Sequence, residues 1–132
     1  PELGAVVHTH SPGATSFAAA GRAIPAITEE IAQVIGGSVE VAPYAACGTR
    51  ELGESAVAYL GDRMAVLMAN HGLVGVGKNI KEALLASIIA ERTAQIAVMA
   101  ATIGGYAELS PEDVSDLRYN YVNKYGQRGV VK

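Results

Sequence analysis

Three histidines, His8, His10 and His71, are the whole histidine complement of the 132-residue chain, and all three fall at the ends of strand-like runs. Residues two apart in a strand share a face, so His8 and His10 can present both imidazoles to one ion, whereas adjacent histidines would point apart. His71 follows a second apolar run, Ala65-Val66-Leu67-Met68-Ala69. It can add a third nitrogen if the two strands are neighbours. Three neutral imidazoles suit Zn²⁺, with another divalent metal as an alternative, and leave a position open for water or substrate, as catalytic rather than structural sites do. A His-x-His pair alone is a weak motif, and His71 before Gly72 also reads as a turn residue bonded to backbone. The metal reading gains from the fact that no histidine is used anywhere else. Nothing in the spacing of Cys47 favours it as a further ligand.

Two tyrosines are candidates for proton transfer. Tyr44 follows Pro43 in a loop between a strand and a helix, and Tyr125 lies in Lys124-Tyr125-Gly126. A phenol of pKa ~10 can lend a proton and take it back near a bound anion. From the residues alone, a packed aromatic with its hydroxyl at the surface is the favoured reading of Tyr44, and Tyr125 carries the same ambiguity. Tyr119 and Tyr121 are expected to pack the last helix. Glu91 interrupts an apolar helix, either supporting the site indirectly or as a solvated charge beside Arg92. Gly72-Leu73-Val74-Gly75-Val76-Gly77 lacks the spacing of a phosphate-binding loop and reads as a turn that lets backbones approach closely.

The elements that must position these groups alternate along the chain. Ala5-Val6-Val7 leads a short strand into the first histidines. Ser11 as N-cap, Pro12 at the first helical position and Ala14 to Ala20 then predict a helix closed by Gly21. Residues 27–35 predict a short helix stopped by Gly36-Gly37, and Ser38 to Val41 alternates as a strand. A helix opens at Gly48 or Thr49, with Glu51 favouring its positive end. Ala65 to Ala69 has the continuous apolar character of a strand buried on both faces, and Leu73 to Val76 resumes it. Asn79 with Glu82 resembles a capping box for a long helix from Ile80 to about Ile103. Ser110-Pro111 opens a last helix. One α/β layered domain over 1–132 is expected.

Bulk properties narrow the function classes. A formal charge of −3 and a pI near 5.6 leave no basic footprint for nucleic acid, and the ten Lys and Arg are too scattered for an anionic membrane surface. No run approaches the ~20 consecutive apolar residues of a membrane helix. One cysteine excludes an internal disulfide framework and fits a reducing cytoplasm. The absence of an initiator Met, with a strand almost at residue 1, reads as a chain that has lost upstream sequence.

Several ordered motifs together resemble the class II aldolase and adducin-head family. They are Val6-Val7-His8-Thr9-His10-Ser11-Pro12 with Ala14-Thr15, Gly21-Arg22-Ala23-Ile24-Pro25, Ala42-Pro43-Tyr44-Ala45, Gly48-Thr49-Arg50-Glu51-Leu52 and Asn70-His71-Gly72-Leu73. Glu82-Ala83 and Glu91 sit where that family's long helix has matching residues. The Ala-Pro-Tyr-Ala, Gly-Thr-Arg-Glu-Leu and Lys-Tyr-Gly segments look most like the family's L-fuculose 1-phosphate-cleaving members. The resemblance implies a three-layer α/β/α sandwich around a largely antiparallel sheet, with zinc on His8, His10 and His71. It also implies a homotetramer with sites at subunit interfaces, where Tyr44 and Tyr125 act in a neighbour's site.

The reaction implied is retro-aldol cleavage of a phosphorylated ketose to dihydroxyacetone phosphate and a hydroxyaldehyde. A metal would serve as Lewis acid, Tyr44 would handle the proton on the oxygen that becomes the aldehyde, and Tyr125 would orient that end. The family's acid/base glutamate and phosphate loops lie upstream of the His-x-His strand, and neither Glu2 nor Ser11 matches them. Rival readings are a pentulose-phosphate 4-epimerase or thiosugar-phosphate dehydratase on the same scaffold, and a non-catalytic adducin-head-like interaction module. Tyr44 in its Pro-Tyr-Ala setting favours the aldolase over the first two. Retention of all three histidines argues against the last.

Overall fold

A computed structural model describes residues 2–124. The elements run β1 (Ala5–Thr9), α1 (Pro12–Ala20), a single π-helical turn (Ile31–Ile35), β2 (Val41–Ala42), α2 (Arg50–Leu60), β3 (Ala65–Met68), β4 (Gly72–Gly77), α3 (Ile80–Thr102) and α4 (Pro111–Asn123). The four strands form one sheet in the order β1-β4-β3-β2. β1 and β3 both pair antiparallel with β4, while β2 joins β3 in parallel. The sheet is therefore mixed but largely antiparallel, as expected.

Strand alternation sorts the core into two layers. Ala65, Leu67 and Leu73 pack with Ala14 and Ala18 of α1 and Ile89, Ala90 and Ala94 of α3. Val66 and Val76 belong to a second cluster with Ala42, Leu60 and Met64, beside α2, which lies along β2 and β3. Helices on both faces make the three layers. α3 is 23 residues long with a mean hydropathy of 1.4 in its most apolar stretch, enough by length and composition to cross a membrane. Here Ala83, Ala86, Ala90, Ala94 and Ala97 of α3 are buried within the fold. It is a core helix.

The β4 glycines let α3 lie directly on the strand. A Cβ on Gly77 would stand 2.6 Å from the Ala83 nitrogen, and one on Gly75 would meet the Ala83 carbonyl oxygen at 2.7 Å and collide with the Ser87 hydroxyl. Close backbone approach is what these glycines provide.

Helix starts follow their side-chain signals. Thr49 accepts from the Leu52 N–H, Asn79 from Lys81 and Glu82, and Ser110 from Asp113. Glu82 completes a variant of the expected box, accepting from the Lys78 N–H at 3.0 Å. Two expected elements are shorter than predicted. The helix expected over 27–35 is present over residues 29–35, its Ile31–Ile35 part π-helical. It is closed by Gly36 at φ 95° and held by Arg118 of α4, which donates to the Gln33 and Val34 carbonyl oxygens at 2.7 and 2.8 Å. The strand over 38–41 survives as Val41–Ala42, while Val39 forms an isolated bridge with Ile24. Tyr119, expected to pack α4, is exposed and lies beneath the Lys124 ammonium, 5.6 Å from its ring centroid.

Candidate metal centre

Antiparallel pairing of β1 with β4 assembles the histidines. The end of β1 meets the start of β4, with His8 opposite Val74 and Thr9 opposite Leu73. His71 immediately precedes β4, in the tight turn from β3 that its own N–H closes by donating to the Met68 carbonyl at 3.0 Å. The turn passes through Asn70 at φ 58°, a left-handed conformation that asparagine tolerates better than most residues. His10 lies one residue beyond β1. Thus the strand-end placement holds, with His8 inside its strand and the other two just outside theirs.

The three rings form a triangle, with centroids 4.8, 4.9 and 5.0 Å apart at steep interplanar angles. One ligating nitrogen from each lies within 4.8 Å of the others. His8 Nδ1 is 2.9 Å from the Leu73 carbonyl oxygen, which can only accept, so Nδ1 carries the proton and donates. Nε2 is then the free donor atom, and it sits 3.0 Å from His10 Nε2. Two nitrogens on one zinc at ~2.0–2.1 Å in tetrahedral geometry are about 3.3 Å apart. The His8–His10 pair is near that spacing, and three imidazoles are a donor set that suits such an ion.

Electrostatics favour the same state. The His71 imidazole is held below its ordinary pKa by burial first and then by repulsion from His8 and His10. A neutral imidazole is the form that binds metal. Gly72 makes room for the cluster, since a Cβ there would stand 2.5 Å from the Thr9 carbonyl oxygen and 2.9 Å from His10 Cδ2.

Glu91 has a role that its sequence position did not reveal. Its Oε1 accepts from the Gly13 N–H at 2.8 Å and its Oε2 from the Ala14 N–H at 2.7 Å. These are the free donors at the start of α1, so a residue of α3 caps that helix. Ser11, expected to be the cap, makes no side-chain capping bond. Burial pushes the Glu91 carboxyl up, but the Ala14 and Gly13 N–H groups, helped by Ser11 and Gln95, bring it below the usual range. Arg92, considered as its partner, lies instead 3.8 Å from Glu30.

Of the two candidate tyrosines, Tyr44 lies within the described residues. Tyr44 is 68% exposed in the loop after β2, with no contact to the histidines among the described residues. Tyr125 lies outside the described residues. Cys47 is exposed and unpaired, and the metal-capable group contains the three histidines without it.

Comparison with known proteins fits this geometry. The model of the class II aldolase and adducin N-terminal domain matches residues 1–98. The chain is 39% identical over 127 residues to 5-deoxy-D-ribulose 1-phosphate aldolase of Bacillus thuringiensis serovar kurstaki, covering 96% of this chain and 59% of that protein. It is 41% identical over 96 residues to L-fuculose phosphate aldolase of Escherichia coli K12, covering 73% and 45%. A solved L-fuculose 1-phosphate aldolase superposes with a TM-score of 0.88 at 32% identity, covering 92% of this chain and 57% of that one. The chain spans about half the length of the curated relatives it matches. Its motifs, its sheet and its histidine cluster agree with that match, and the chain belongs to the class II aldolase and adducin N-terminal domain family.

Proposed function

We propose that this chain is the metal-holding part of an aldolase that cleaves a ketose 1-phosphate to dihydroxyacetone phosphate and a hydroxyaldehyde. The observation that carries the reading is the convergence of His8, His10 and His71, with the second nitrogen of His8 spent on Leu73. These three residues would hold a divalent ion, zinc by the chemistry of the donors. When bound, such an ion supplies Lewis acidity toward a carbonyl oxygen. The names of the relatives, aldolases of a 5-deoxyribulose 1-phosphate and of a fuculose phosphate, support a phosphorylated ketose as the substrate class.

The chain's own residues contribute orientation and proton handling. The Leu73 carbonyl keeps His8 in one tautomer, and burial with repulsion from His8 and His10 favours the neutral form of His71. Tyr44 would handle the proton on the substrate oxygen that becomes the aldehyde, its phenol donating to that oxygen in the condensation direction and its phenolate recovering the proton in cleavage. Tyr125 would orient that end. Tyr44 is exposed and makes no hydrogen bond or ring contact with the histidines among the described residues, which suits action in the site of a neighbouring copy. A cytoplasmic homotetramer is the assembly proposed, and the exposed apolar residues Leu84, Ile88 and Met99 offer surface for contacts between copies.

The test is incubation of the full-length protein with L-fuculose 1-phosphate and 5-deoxyribulose 1-phosphate, with zinc and after chelation. Metal-dependent release of dihydroxyacetone phosphate is expected. A product that keeps all its carbons would transfer the site to an epimerase or a dehydratase. Absence of both metal and turnover would leave an interaction module.

A further inference from the structure

We infer that Glu91 is a positioning residue for the histidine cluster: by capping α1 from α3 it fixes where the chain leaves β1, and so where His10 stands. The inference rests on the metal reading above. The sheet register ends at Thr9 opposite Leu73, so no strand pairing holds His10. Its place is set by its neighbours, Thr9 in the ladder and Ser11 at the start of α1. The Thr9 and Ser11 hydroxyls are 3.3 Å apart, which links the two across His10.

What anchors Ser11 is the helix it begins, and that helix is seated on Glu91. Both carboxylate oxygens are engaged, Oε1 by Gly13 and by Gln95 Nε2 at 2.7 Å, and Oε2 by Ala14. The seat is tight. A Cβ on Gly13 would lie 2.9 Å from Glu91 Oε1 and 2.9 Å from Gln95 Cγ. The far end of the same helix reaches the other side of the cluster. The Ala18 carbonyl accepts the Asn70 N–H at 3.1 Å, one residue before His71. α1 therefore meets the chain next to His10 at one end and next to His71 at the other, and Glu91 sets its place relative to α3. Groups bonded directly to metal ligands are typically worth ~10–100-fold in metal affinity, and Glu91, acting through the backbone on either side of the histidines, is expected at the lower end.

The experiment compares the full chain with Glu91→Gln and with Glu82→Gln. Glutamine keeps the shape of residue 91 but turns an amide NH₂ toward one of the two backbone donors. Glu82 caps α3 at Lys78 and does not touch α1, so its variant controls for a general loss of stability. Zinc dissociation constants are measured by chelator competition, and cobalt-substituted samples are examined by visible absorption, in samples shown to be folded by circular dichroism. Glu91→Gln is expected to weaken zinc about tenfold and to alter the cobalt bands, with Glu82→Gln matching wild type. If Glu91→Gln does not fold, Gly13→Ala, which displaces the same carboxylate, is read in its place with the same expectation. Wild-type affinity and spectrum in the variant that is read would overturn the proposal, as would equal weakening by Glu82→Gln. A wild-type chain that binds no metal would overturn the metal reading and this inference with it.

Discussion

The Nδ1–H of His8 donates to the carbonyl oxygen of Leu73 at 2.9 Å, so the strand that receives β1 also sets the tautomer of its central histidine. Both the acceptor and the imidazole are placed by one antiparallel register. The remaining nitrogen of His8 faces His10, and His71 closes the triangle. His8→Ala and His71→Ala in the full chain are each expected to abolish stoichiometric zinc and to lower turnover by more than about 100-fold, since losing a ligand should cost at least as much as losing its support. Elemental analysis after dialysis checks this. Stoichiometric metal in both variants would remove the assignment.

Gly72 gives a second probe of the same geometry. Its missing side chain leaves space beside the Thr9 carbonyl and the His10 ring. Gly72→Ala must move one or both, and overpacking of this kind typically costs ~1–3 kcal/mol. The expected result is a lower urea midpoint together with weaker zinc binding. Gly61→Ala is the contrast. Its φ of 56° makes alanine strained, yet nothing lies within 4 Å of the added carbon. It should destabilise without changing zinc affinity.

How much of this was legible in the sequence depends on the range of the interaction. Thr49, Asn79 and Ser110 act through bonds two or three residues away, and each was readable as a cap. The His-x-His spacing was likewise readable, because strand alternation is local. Ser11 looked like a cap by the same local rule. The N–H groups at the start of α1 went instead to Glu91, 77 and 78 residues distant. The π-helical turn is held by Arg118 at a similar remove. That β1 pairs with β4, and so joins His8 and His10 to His71, is a property of topology, and short apolar runs do not encode it.

Glu91 also predicts a pH dependence of stability. Its carboxyl lies below its ordinary pKa of 4.5 in the folded chain, burial being outweighed by the donors around it. A depressed carboxylate contributes stability that is present above the unfolded value and lost as pH falls through the folded one. At pH 7, Glu91→Gln should cost about 1 kcal/mol, as the loss of a helix cap does. As pH falls from the unfolded value through the lower folded one, the wild-type carboxyl becomes protonated and the difference should shrink. Urea unfolding of metal-free samples from pH 7 down through the acid range measures it, and a gap that does not narrow would show that charge has no part in the cap.

Tyr44 carries the last prediction, because its exposure is compatible with two roles. As a surface aromatic, its hydroxyl would be dispensable. As the proton carrier of a neighbouring copy, it would be needed for turnover and not for folding. Tyr44→Phe keeps the ring, and residue 44 makes no hydrogen bond among the described residues, so stability should not change. Turnover should fall by ~10²–10⁴-fold with little change in substrate affinity, the range of general acid–base catalysis. Mixing then asks whose site Tyr44 serves. His71→Ala chains retain Tyr44 but lack a complete histidine set, and Tyr44→Phe chains have the reverse defect. If each site joins histidines from one chain to Tyr44 from the next, co-expressed chains assembled at random in a closed ring should be intact at about a quarter of their sites. Activity in the mixed assembly well above that of either variant is the expected outcome. A mixture as inactive as its parents, from two variants each dead alone, would place Tyr44 in the site of its own chain. A Tyr44→Phe chain with normal turnover would remove it from the chemistry altogether.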